Sequence, residues 1–162
     1  MKRYPLQTLL KLREHRTENA RQLVIERQGE VRKCQEACKA IEGEIDNLLH
    51  DRQQHRLNLM APPPAGVPWP MALAQREAHI ELLAEHVVAA RGRLSKAQEV
   101  LRAAEKALQD AKDAFFRAKG REDALHKRKK VWRIEQVAAE VRQEESAAED
   151  LYLAARISGK HS

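Results

Sequence analysis

Aromatic side chains are scarce in this chain, at 4% of 162 residues. A globular core of that size draws much of its buried area from such rings, so their scarcity argues against a globe and for a narrow apolar seam. Cysteine occurs only twice, at Cys34 and Cys38. Two thiols are too few for a disulfide framework or a four-thiolate zinc site. Both fall on an apolar ladder, which fits reduced thiols packed in the core of a cytoplasmic protein. No apolar run approaches the ~18 residues that would predict a membrane span. The start, Met1-Lys2-Arg3-Tyr4-Pro5-Leu6, is basic, but Gln7, Thr8, Lys11 and Arg13 interrupt what would be a signal-peptide core. Also missing are a phosphate-binding glycine loop, a nucleophile elbow and an acid–base pair that a pocket could desolvate. These absences predict no enzyme, no catalytic residue, no metal, no cofactor, no small-molecule substrate and no membrane insertion.

Charge and periodicity are abundant. Charged residues make up 33% of the chain. One ladder reads Leu73, Arg76, Ile80, Leu83, Val87, Ala90, Leu94, Ala97, Leu101, Ala104, Leu108, Ala111, Phe115 and Ala118. Its steps alternate three and four, the heptad pattern of a coiled coil, and only Arg76 is not apolar. A second ladder runs Leu6, Leu10, Arg13, Thr17, Ala20, Val24, Arg27, Val31, Cys34, Cys38, Ile41, Ile45, Leu48, Arg52, His55 and Leu59. Between them lies Pro62-Pro63-Pro64-Ala65-Gly66-Val67-Pro68-Trp69-Pro70, a stretch that cannot continue a helix.

The fold class is therefore all-α, a long antiparallel two-helix coiled-coil hairpin whose second helix is the longer. The expected boundaries are helix 1 over about 6–60, a proline-rich turn over 61–70 and helix 2 over about 71–157, in a single elongated domain spanning 1–162. Folding at Gly66 would set residue 6 opposite about residue 126, and roughly the last thirty residues would project beyond helix 1. The ladder is expected to fail after Ala118, where Gly120 weakens the helix. A new apolar stripe then appears out of phase, through Val131, Ile134, Ala138, Val141, Ala148, Tyr152 and Ala155. With no internal partner, that stripe reads as a docking face for another protein, or else as the seam of a self-dimer or a frayed tail.

The net charge is +6, with both signs mixed along the chain, as on a solvated helix surface. The densest basic patch is His126-Lys127-Arg128-Lys129-Lys130-Val131-Trp132-Arg133. Glu135, Glu140, Glu144, Glu145, Glu149 and Asp150 follow it and would repel a nucleic acid, so a protein partner with patterned charge fits better. Near the turn lie His50, His55, His79 and His86. They read as a solvated face rather than a metal site, since none makes an i, i+4 pair with another. Trp69 either staples the turn to the helix ends or stands exposed as an anchor.

The opening Tyr4-Pro5-Leu6-Gln7-Thr8-Leu9-Leu10-Lys11-Leu12-Arg13-Glu14, followed by Ala20 and Leu23, resembles the start of the FliJ/YscO family. The layout of an N-terminal helix, a central turn and a longer helix rich in Arg, Glu and Ala is similar to that family along the whole chain. The proline-rich turn with Trp69 resembles the virulence branch more than the flagellar one. The resemblance implies a non-enzymatic stalk or adaptor of a type III secretion system, linking the hexameric secretion ATPase to the cytoplasmic domain of the export gate. For some members it also implies escort chaperones as partners. Its expected place is cytoplasmic, peripheral to a membrane-embedded apparatus. No family motif transfers to single residues, so the partner-binding choices rest on local reading. They are Leu6, Leu9 and Leu10 at the leucine-rich start, Lys127, Arg128, Lys129, Lys130 and Arg133 in the basic patch, and Val131, Ile134, Val141 and Tyr152 on the unpaired stripe. The alternatives are a generic dimeric coiled-coil scaffold and, less favoured, a basic helical nucleic-acid-binding protein.

Overall fold

The two ladders form two long α-helices in the computed structural model, which describes residues 2–160. The first, α1, spans Gln7–Leu57, and the second, α2, spans Trp69–Lys160. They make an antiparallel helical hairpin with α2 the longer, and no strand occurs among the described residues. The chain divides into two compact units, Gln22–Lys112 and Met1–Arg21 with Asp113–Ser162.

The Gln22–Lys112 unit holds the turn and the strongest part of the seam. Every ladder position from Leu73 to Ala111 is buried or half-buried. Ile45, Val87 and Ala90 form a core cluster, with Ile41, Leu48 and Leu94 packed against it. Ala90 is 0% exposed, which shows why small residues recur on this seam: a methyl group lets α1 and α2 come close enough to leave no gap. Cys38 is buried, Cys34 is half-buried, and both are free thiols. His55 is the one α1 ladder position in this unit that stays exposed. Its ring meets His79 edge-on at 4.5 Å. Beside the seam, Arg93 clasps Glu44 through two hydrogen bonds of 2.6 and 3.0 Å.

The helix ends differ from expectation for local reasons. The first helix stops at Leu57, short of residue 60. Leu59 N–H donates to Arg56 O and Ala61 N–H to Asn58 O, so the chain tightens into three-residue turns before the prolines. Val67 N–H donates to Pro64 O across a turn in which Gly66 has φ +83°, a conformation that favours glycine. The second helix starts at Trp69 rather than 71, because Pro68 O accepts its first bond, from Ala72. Pro70 fits in this first turn, where its missing N–H would have no helical partner.

In the unit formed by the chain start and Asp113–Ser162, Leu10 and Leu125 are buried, as is Thr17, whose hydroxyl donates to Arg13 O at 3.0 Å. The three-four spacing does not fail after Ala118. It continues through Glu122, Leu125, Lys129, Trp132, Gln136 and Ala139, all buried or half-buried. What changes is composition, since polar residues now occupy the seam. The expected end of pairing is corrected as well. Gln7 bonds Lys129 and Tyr4 packs on Trp132, two pairs centred on residue 68 rather than 66. The start of the chain therefore reaches further along α2 than a fold at Gly66 implies, because residues 58–67 run as turn and loop rather than helix. Past Ala139 every described side chain is exposed.

Candidate partner-binding site

The first residues of the chain enter α1 through a turn in which Gln7 N–H donates to Tyr4 O at 3.1 Å. That turn lays the Tyr4 ring against Trp132, with centroids 5.4 Å apart and planes tilted by 56°. Tyr4 is buried, and its hydroxyl has no hydrogen-bond partner. Alongside this pair runs an open groove of about 510 Å³, lined by Tyr4, Pro5 and Leu6 from the chain start and by Lys127, Arg128, Val131, Trp132 and Glu135 from α2. Its floor is apolar, and two cations and one carboxylate line it. Such a surface suits a peptide segment with an apolar anchor and acidic neighbours.

Of the residues chosen from sequence, the groove gathers Leu6, Lys127, Arg128 and Val131. Lys130 and Arg133 lie exposed nearby on α2, as do Ile134, Val141 and Tyr152 further along. Tyr152 sits with Ala148, Glu149 and Leu153 around a shallow, mostly apolar depression. Two choices need correction. Leu10 is 1% exposed and belongs to the core, so it offers no surface to a partner. Lys129 turns inward, where its ammonium donates to Gln7 Oε1 at 2.7 Å and joins the helices. Leu9 is half-buried on α1.

Sequence reading missed Tyr4 and Trp132 as a pair, and it missed the exposed Val137, Leu151, Leu153 and Ile157 on α2. Carrying the three-four spacing beyond Ala118 would have put Trp132 on the seam. It also missed a polar cluster. His126 Nε2 lies 3.4 Å from Glu14 Oε1 and 3.5 Å from Glu122 Oε1. Lys119 flanks this group, 3.5 Å from Glu122 and 3.4 Å from Asp123. Asp123 first, and then Glu122, hold its ammonium above the ordinary lysine range.

Residues 1–154 match the family described as YscO-like protein. The chain belongs to the YscO-like family. Its members are helical, structural proteins associated with type III secretion. Among solved structures, the chain is similar to that of a YscO homolog, CT670, from Chlamydia trachomatis. The TM-score is 0.82 at 23% identity, covering 100% of this chain and 99% of that one, so the likeness is one of fold. No curated protein matches the sequence. Of the expected FliJ/YscO resemblance, it is the YscO side that the matches support. No helix among the described residues of this YscO-like chain is long and apolar enough to cross a membrane.

Proposed function

We propose that this YscO-like protein is a non-enzymatic stalk or adaptor of a type III secretion apparatus. It links the hexameric secretion ATPase to the cytoplasmic domain of the export gate, receives escort chaperones, and works at the cytoplasmic face of the membrane-embedded machinery. One observation carries the reading: α2 continues past its last contact with the chain start and presents Val137, Val141, Leu151, Tyr152, Leu153 and Ile157 to solvent. Apolar side chains on a helix without an internal partner fit a partner's groove, read at helical spacing. The acidic residues among them, from Glu135 to Asp150, favour a partner with basic patches and disfavour nucleic acid.

Co-precipitation with the cognate ATPase tests the assignment. Charge reversal at Lys127, Arg128 and Lys130 should weaken capture about tenfold or more while leaving the fold intact, since all three are exposed. Lys129 is left unchanged because it is bonded to Gln7. Failure of the wild-type chain to bind either the ATPase or the export gate removes the adaptor reading. The same exposed stripe favours one rival, a dimeric scaffold, which light scattering would reveal as a concentration-independent dimer.

A further inference from the structure

We propose that Glu14, Glu122 and His126 form a binding site for a zinc-like divalent cation that staples the beginning of α1 to α2. These are three metal-ligating side chains whose donor atoms all lie within 4.8 Å of one another. Glu122 and His126 are one helical turn apart on α2, and Glu14 comes from α1, so the site needs both helices. Around a tetrahedral ion with bonds of about 2.0–2.1 Å, neighbouring donor atoms sit roughly 3.3–3.4 Å apart. The spacings of 3.4 and 3.5 Å from His126 Nε2 to the two carboxylates match that geometry and are long for hydrogen bonds.

A second observation comes from Glu122 itself. It is 9% exposed, and its Oε2 has no hydrogen-bond partner, with only the Lys119 ammonium at 3.5 Å. Burying a carboxylate is costly, and here the contacts that offset the cost, to Lys119 and His126, are both as long as 3.5 Å. A cation on the Oε1 side would neutralise it while Lys119 holds the other oxygen. The imidazole and the Glu14 carboxylate are partly exposed, which leaves a way in for the ion and a fourth position for water. Imidazole with two carboxylates suits zinc and its first-row neighbours better than magnesium, which prefers an all-oxygen, octahedral shell.

The test uses the full chain with Cys34→Ala and Cys38→Ala, because two thiols four residues apart on a helix are themselves zinc ligands. Thermal unfolding and titration are followed with zinc chloride and, in parallel, magnesium chloride. The expected result is a rise in Tm on the order of 5 °C at hundredfold excess over the Kd for zinc, and none for magnesium. Zinc affinity should fall about tenfold or more in both His126→Gln and Glu14→Gln, which change partly exposed side chains and leave the fold in place. The NMR signals of the His126 imidazole should move on zinc addition. The proposal is overturned if zinc leaves the Tm unchanged. It is equally overturned if both variants keep wild-type affinity, which would place the ion elsewhere, for instance at His55 and His79.

Discussion

Arg76 is the one polar residue in the ladder from Leu73 to Ala118, and the turn explains it. Its guanidinium donates to Leu59 O at 2.9 Å and Ala61 O at 2.6 Å, carbonyls that follow the end of α1 and have no helical acceptor role left. Arg76→Ala should lower stability by about 1.5–3 kcal/mol in urea unfolding, and Arg76→Lys should recover only part, because an ammonium offers one nitrogen where the guanidinium reaches Leu59 O and Ala61 O through Nη1 and Pro62 O through Nη2. Equal midpoints for wild type and Arg76→Ala would show that the clamp is idle. The misfit of Arg76 was legible in the sequence, but its partners were not, because backbone carbonyls in a loop leave no trace in residue type. Leu10 gives the opposite case, read as a binding residue and found in the core, where Leu10→Ala should cost about 2–5 kcal/mol. Charge adds a pH-dependent prediction at the same scale. The hydrogen bonds from Arg93 hold the Glu44 carboxyl below its ordinary value of 4.5. A folded-state value below the unfolded one means that the contribution is present above pH 4.5 and lost as the pH falls through the folded value. The Tm difference between wild type and Glu44→Gln should therefore be visible at neutral pH and vanish in acid. A difference that persists unchanged below pH 3 would point to a cause other than ionisation.

At the scale of the element, heptad spacing gave both helices and nearly all of their buried faces, from Val31 to Ile45 on α1 and from Leu83 to Ala111 on α2. It misled where composition and spacing part company. Beyond Ala118 the seam keeps its three-four steps while its residues become Glu122, Lys129 and Gln136, so a search for apolar letters jumps to the exposed stripe through Val131 and Ile134. One polar seam residue, Lys129, finds its partner across the helices in Gln7, and such pairing over more than a hundred residues is invisible to a local reading. Long helices owe most of their stability to packing, and past Ala139 every described side chain of α2 is exposed. Amide hydrogen exchange should therefore fall into two classes within α2. Amides between Leu83 and Ala111 should be protected to near the global unfolding limit, and those from Glu140 to Ile157 should exchange orders of magnitude faster. Uniform protection along α2 would mean that the exposed segment is covered in solution, as in a dimer.

For the molecule as a whole, the consequence is that the end of α2 offers partners a surface made of residues other than those that hold the fold. Leu151 and Ile157, at 72% and 59% exposed, touch nothing that stabilises the hairpin. The double variant Leu151→Asp with Ile157→Asp should then change the unfolding free energy by less than about 0.5 kcal/mol for each exposed site. Its effect on binding should be far larger, because burying a carboxylate at an apolar docking face costs more than the lost contact alone. A Kd for the secretion ATPase or the export-gate domain that rises about tenfold or more, with the Tm unchanged, is the expected outcome. Unchanged affinity for both partners would remove the end of α2 from the interface and leave the groove at Tyr4 and Trp132 as the docking surface. Light scattering on the same pair of proteins closes the remaining route: a wild-type dimer that the double variant turns into a monomer would assign the stripe to a second copy of this chain.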